Sequence, residues 1–126
     1  KISLIDERNE IAAVKDGVAQ NDVGVLTDIF NSYKKSVAIE IAIRVMSPKI
    51  IIIDEIGTAD EKNAILSGTN AGVKIIATTH AKTLKELTNK PEIDELIKLK
   101  VFEKIVFLEG ANNPCKIKEV VNISDF

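Results

Sequence analysis

The sequence predicts an α/β fold built on a mainly parallel sheet, and three observations carry that reading. Short runs rich in Ile, Val and Leu, KISLID (1–6), KIIIID (49–54), VKIIATT (73–79) and KIVFLE (104–109), are separated by helical patterns. Strands that alternate with helices belong to layered α/β architectures. The first three runs are continuous rather than alternating, which suits parallel strands covered on both faces. Those three also end in polar groups, Asp6-Glu7, Asp54-Glu55 and Thr78-Thr79-His80, and such sheets place ligands at the carboxyl ends of their strands.

The elements follow in order. Residues 8–25 are polar and carry Gly17 and Gly24, so they read as an irregular excursion. Leu26, Ile29, Phe30 and Tyr33 have helical spacing and predict a helical turn leading into SVAIEIAIRVM (36–46). That segment is almost apolar all round and predicts a buried helix, stopped by Ser47-Pro48. DEKNAILSGTNAG (60–72) predicts a surface helix with Gly72 as its C-terminal cap. Residues 82–102 predict one or two helices broken at Asn89-Lys90-Pro91, with Leu84, Leu87, Ile93, Leu96, Ile97 and Leu99 mostly facing a core. GANNP (110–114) is a turn by composition, and the alternating CKIKEVVNI (115–123) returns as an antiparallel edge strand.

Composition narrows the function classes. The 126 residues fit one domain or part of one, and 45% hydrophobic with 29% charged residues suits a soluble globular chain rather than a disordered one. A net charge of −2 gives no sign of bulk nucleic-acid binding, and no nucleic-acid partner is expected. The single cysteine, Cys115, makes neither an internal disulfide nor a multi-thiolate zinc site and suits a reducing compartment. His80 is the only histidine, which excludes a multi-histidine metal site. The apolar runs are about a strand long, well short of the roughly 20 residues of a membrane span. The chain opens at Lys1 inside an apolar run and its one methionine is Met46, so it reads as a fragment of a longer protein, a single partial domain over 1–126.

IIIIDE (50–55) has the form of a strand that delivers an acid beside nucleoside triphosphate phosphates. Phosphoryl transfer asks a protein mainly for positioning and charge compensation. Asp54 would then hold a Mg²⁺-bound water and Glu55 would polarise the attacking water. The competing reading is an exposed strand end whose acids are solvated or cap the next helix. Thr78, Thr79 and His80 occupy the place of a γ-phosphate sensor, or simply a polar strand end. Asp6, Glu7 and Glu10 form a second acidic group, or a solvated loop start. Arg44 could reach phosphate, although pairing with an acid is the more usual role. A two-component receiver also pairs acids after one strand with an Asp and a Thr after others. It needs a further strand and helix between its first and third strands, where residues 8–48 offer one excursion and one helix. A non-catalytic, ring-forming assembly module is the other alternative.

The order ISLIDERNEIA, QNDVG, TDI, AIRVMSPKIIIIDEIG and NAGVKIIATTHA resembles the stage III sporulation protein AA family of endospore-forming bacteria, which is related to the secretion ATPases of type II and type IV systems. The likeness covers residues 2–81 and is most specific from Arg44 to Gly57; 82–126 fits in pattern only. The resemblance implies a RecA-like P-loop ATPase core working as a ring, a hexamer, with ATP and Mg²⁺ as cofactors. It implies a cytoplasmic place in the mother cell, at a membrane-embedded channel complex facing the forespore. Residue by residue it implies Asp54 as the metal-side acid and Glu55 as the catalytic base of a Walker-B pair. It places an acidic box on Asp6, Glu7 and Glu10 and a histidine box on Thr79 and His80. The catalytic set is thus Glu55, His80 and Glu7, with Thr79, Asp6 and Arg44 toward the nucleotide. Two departures stand out: Asp54 replaces the glycine usual before the Walker-B glutamate, and Thr58 replaces an arginine frequent after DEIG.

A P-loop reads G-x-x-x-x-G-K-[ST]. None of the six glycines, 17, 24, 57, 68, 72 and 110, is followed by Lys-Ser or Lys-Thr. Without the loop's N–H groups and lysine, the chain alone is expected to bind ATP weakly or not at all and not to turn it over. The sheet of the implied fold would also lack the strand between its Walker-B and sensor strands. Those two are expected to pair directly or to exchange strands between copies.

Overall fold

The computed structural model describes residues 1–125. The chain forms two compact units, one spanning Lys1–Thr79 and one beginning at His80.

The first unit holds β1 (Ile2–Asp6), a small hairpin of β2 (Val14–Lys15) and β3 (Val18–Ala19), then β4 (Thr27–Asn31), α1 (Lys35–Ile41), β5 (Ile50–Ile53), α2 (Ala59–Asn70) and β6 (Lys74–Ala77). Its main sheet has the order β4-β1-β5-β6, and all neighbours are parallel. β1 is central, with Ser3, Leu4, Ile5 and Asp6 all buried, so both of its faces are covered. Ile51 and Ile53 of β5 and Ile39, Ala42 and Ile65 from the helical segments are fully enclosed. β5 and β6 pair directly, Ile50 with Lys74 through Ile53 with Ala77, which is one of the two arrangements anticipated for these strands.

Residues 27–31 correct the sequence reading. The spacing of Leu26, Ile29, Phe30 and Tyr33 imitates a helical stripe, yet the segment is β4, paired in register with β1 from Ile2–Thr27 to Asp6–Asn31. The Ile2 N–H donates to the Leu26 carbonyl, so the free edge of β1 recruits the segment, and pairing overrides local periodicity. The helix expected at 36–46 is also different. It is α1 followed by a π-helical turn over Ala42–Met46, and Val37 and Val45 are exposed, so only one face is buried. Ser47 in the left-handed region and Pro48 end it as expected.

α2 begins with a reciprocal cap. The Thr58 hydroxyl accepts from the Glu61 N–H, and the Glu61 carboxylate accepts from the Gly57 and Thr58 N–H groups. The helix ends in a Schellman turn, where Gly72 has φ +84° and the Val73 N–H returns to the Gly68 carbonyl. Gly68 faces Ile43 of the π-helical turn, and a Cβ there would meet the Ile43 Cδ1 at 3.2 Å, so a larger residue would require the Ile43 side chain to shift by a few tenths of an ångström. Thr58→Ala is expected to destabilise the chain by about 1 kcal/mol through loss of the cap, measured as a lower urea midpoint at unchanged slope.

The second unit contains α3 (Leu84–Thr88), α4 (Pro91–Lys98), β7 (Lys104–Leu108), β8 (Ile117–Asn122) and a 3₁₀ turn at Ile123–Asp125. The break at 89–91 gives two helices, with Pro91 at the first position of α4, where its missing N–H has no helical partner to lose. Leu87, Ile93, Leu96 and Ile97 are buried as expected, whereas Leu99 is exposed because it lies past the end of α4. Lys98 and Asp94 lie 2.8 Å apart at i,i+4, and that hydrogen bond with the carboxylate raises the lysine pKa. β8 returns antiparallel to β7 as expected; the two form their own sheet, so β7 is not a further strand of the parallel one. Among the described residues, no helix is long and apolar enough to cross a membrane.

Candidate functional site

Four parallel strands bring their carboxyl ends to one edge of the first unit's sheet. Ile5 of β1 pairs with Ile53 of β5, and Ile53 with Ala77 of β6, so Asp6, Asp54 and Thr78 come one residue later at neighbouring positions. β4 runs the same way, so residues 32–35 and the start of α1 reach that edge too.

After Asp54 the chain turns sharply, and Glu55 takes φ +58°, in the left-handed region that non-glycine residues rarely occupy. The Thr78 hydroxyl joins the two acids, donating to Asp54 Oδ1 at 2.7 Å and accepting from the Glu55 N–H at 2.8 Å. The Glu55 carboxylate meets the Arg8 guanidinium at 2.9 Å. The Lys35 ammonium donates to the backbone carbonyls of Asp54, at 3.3 Å, and of Glu55. It also lies 3.8 Å from the carboxylates of Glu7 and Glu61. The edge therefore gathers Glu7, Asp54, Glu55 and Glu61 around Lys35 and Arg8.

The remaining candidates make other contacts. Asp6 is fully buried, and its carboxylate accepts from the N–H groups of Glu10, Ile11 and Ala12, which shapes the loop after β1. Glu10 is exposed and contributes its backbone N–H to that loop. The Thr79 hydroxyl donates to the Ile56 carbonyl at 3.3 Å and pins the turn. Arg44 lies on the π-helical turn that leads back to the start of β5, at the opposite edge of the sheet, and its exposed side chain pairs with Glu40 at 3.8 Å. His80 begins the second unit, where its carbonyl accepts from the Lys90 ammonium.

Arg8, Lys35 and Glu61 are the site residues that the sequence reading missed. Arg8 stands between the acids Glu7 and Glu10, directly after β1, and was legible by position alone. Thr58-Ala59-Asp60-Glu61 has the capping-box signature, which fixes where Glu61 points. Lys35 had no comparable signal, because its place depends on β4.

Among the described residues, no group of three or more His, Cys, Asp or Glu is arranged to enclose a metal ion. Mg²⁺ is usually held by one or two carboxylates together with waters and substrate phosphates. Asp54, at a strand end with one oxygen accepting from Thr78, fits that mode and not a protein cage.

The comparisons with known proteins agree with the sequence resemblance. The family Sporulation stage III, protein AA matches over residues 1–125. Stage III sporulation protein AA of Bacillus subtilis (strain 168) is 30% identical over 120 residues, covering 95% of this chain and 39% of that protein. The uncharacterized protein ycf45 of Cyanidium caldarium is 32% identical over 103 residues, 77% of this chain and 29% of that protein. Its counterpart from Porphyra purpurea is 33% identical over 103 residues, 77% of this chain and 17% of that protein. The chain thus spans well under half the length of each of these relatives. No solved structure matches. With the family match running across both units, the chain belongs to the stage III sporulation protein AA family.

Proposed function

We propose that the first unit is the Walker-B side of an ATP-hydrolysing site in a sporulation protein. One observation carries this reading: β1 and β5 pair in register and deliver Glu7, Asp54 and Glu55 to a single sheet edge. When bound, Mg²⁺ would neutralise charge on the β- and γ-phosphates. Asp54 would hold the ion through a coordinated water. Glu55 would orient and deprotonate the attacking water, and Glu7 would orient the water network from the neighbouring strand. In a longer chain of this family the activity would energise or assemble a channel between mother cell and forespore, from the cytoplasmic side. It would do so as a homo-oligomeric ring, a hexamer, working with membrane-embedded partners.

A second reading has its own observation. β5 and β6 pair directly, so the sheet has no slot where a phosphate-loop strand would sit. As it stands, the unit then serves as a non-catalytic assembly module. The two readings differ in a measurable distance. A strand entering between β5 and β6 widens their spacing from about 4.8 Å to about twice that, which separates the Thr78 hydroxyl from Asp54.

Calorimetry of Mg-ATP binding decides between them, on this chain and on a chain extended upstream through a Gly-x-x-x-x-Gly-Lys-Ser/Thr loop. The ATPase reading expects binding only by the extended form. Failure of the extended form to bind favours the assembly module.

A further inference from the structure

The Lys35 side chain is only 12% exposed, and its charge is met by groups at the sheet edge. Two are backbone carbonyls, of Asp54 and Glu55, and two are the Glu7 and Glu61 carboxylates. An ammonium has three hydrogens to donate, and a desolvated one needs this density of acceptors. Glu61 is itself buried and fixed by the α2 cap, so it cannot swing away to release the lysine. The residue on which the ammonium docks is the one in the disfavoured conformation, Glu55 at φ +58°. An ordinary negative φ at Glu55 would re-aim the peptide groups on either side and take a carbonyl off the ammonium. Backbone strain of this kind persists only where surrounding contacts over-determine it.

We propose that Lys35 is the positioning residue of the Asp54–Glu55 pair: its ammonium clamps the two carbonyls, holds Glu55 left-handed and so fixes where the Glu55 carboxylate, paired with Arg8, is presented at the sheet edge. The clamp comes from α1, which packs on β1 and α2, and none of its partners lies on β6, so it does not depend on β5 and β6 remaining paired. Its catalytic meaning rests on the proposed ATPase reading. The clamp itself does not.

Urea unfolding of this chain tests the clamp without any activity. Glu55→Ala and Glu55→Gly both lack the carboxylate, so the Arg8 pair is absent from each. They differ in their tolerance of a left-handed φ. With Lys35 present, Glu55→Gly is expected to give a folding constant about fivefold above that of Glu55→Ala. With Lys35→Met added to both, that advantage should vanish or reverse, because glycine then only adds freedom to the unfolded chain. An unchanged fivefold advantage would overturn the proposal, since the turn would be set by other contacts. Lys35→Leu, which also carries no donor, takes the place of Lys35→Met if that variant does not fold. On the unsubstituted chain, a proton–nitrogen NMR spectrum should show a slowly exchanging Lys35 ammonium coupled to the Asp54 or Glu55 carbonyl carbon. A rapidly exchanging ammonium would count against the clamp whatever the variants do.

In the extended chain, Lys35→Met should lower kcat and leave KM for Mg-ATP within about twofold, the signature of lost transition-state positioning. A confirmed clamp in a chain that never hydrolyses ATP overturns the ATPase reading and leaves the positioning role standing. Hydrolysis that survives Lys35→Met undiminished overturns the positioning role alone.

Discussion

Glu55→Gln is expected to lower ATP turnover by the upstream-extended chain about 10²- to 10⁴-fold while leaving Mg-ATP binding in place. Glutamine has nearly the volume of glutamate and accepts hydrogen bonds through its amide oxygen, but it cannot take a proton from the attacking water. The backbone turn should survive, because Lys35 and Thr78 bind the main chain at Glu55 rather than its carboxylate. The ion pair with Arg8 is lost, yet Arg8 is two-thirds exposed, so the cost to stability should stay below about 1 kcal/mol. Phosphate release, calorimetry and urea unfolding on the same preparation separate the outcomes. Turnover that persists removes Glu55 as the base. Binding that falls together with turnover makes the carboxylate part of the nucleotide site instead. A large loss of stability would show that the Glu55 carboxylate supports the fold rather than activating water.

The sheet was legible in the sequence where burial alone decided the pattern. β1, β5 and β6 are continuous apolar runs with polar ends, and they occupy adjacent parallel positions as that pattern implies. β4 was not legible. Its apolar residues fall at helical spacing, and only the open edge of β1 makes them a strand. That one misreading hid Lys35, because a helix over 26–33 would not have ended at the carboxyl edge. Arg44 was read as pairing with a strand-end acid or reaching phosphate, but the lead-in from the π-helical turn puts it at the amino end of β5, where it pairs with Glu40. The acids Asp6 and Glu7 are neighbours in sequence with opposite fates, one buried in a loop of N–H donors and one paired with Lys35. Nothing in a string of charged residues says which carboxylate turns inward. That depends on which side of the sheet finds backbone donors.

Asp6→Asn is expected to destabilise the chain by about 3 kcal/mol, a large part of the roughly 5–15 kcal/mol that holds a domain of this size together. The Asp6 side chain is fully buried and accepts from Glu10 and Ala12 at 2.9 Å each and from Ile11 at 3.2 Å to both oxygens. Every partner is a donor. Asparagine keeps one oxygen for them and points an NH₂ group at the rest, so donors face donors in a site that water does not reach. Charge-assisted bonds are worth about 1.5–3 kcal/mol each, and at least one is lost outright while another becomes neutral. The loop after β1 has a second tie, in which the Asn9 side chain brackets the backbone of Val14 at 2.7 and 2.8 Å, so it should loosen rather than come apart. Glu7→Gln is the matched control. Glu7 is half-exposed, and its contact with Lys35 is long, so its loss should cost less than about 1 kcal/mol. Urea midpoints of the two variants test the assignment directly. A large drop for Asp6 beside a small one for Glu7 makes Asp6 the residue that builds the loop and leaves Glu7 as the acid available for chemistry. The reverse order would return Asp6 to the nucleotide-binding set, since a carboxylate kept for a ligand contributes little to the stability of the unliganded chain.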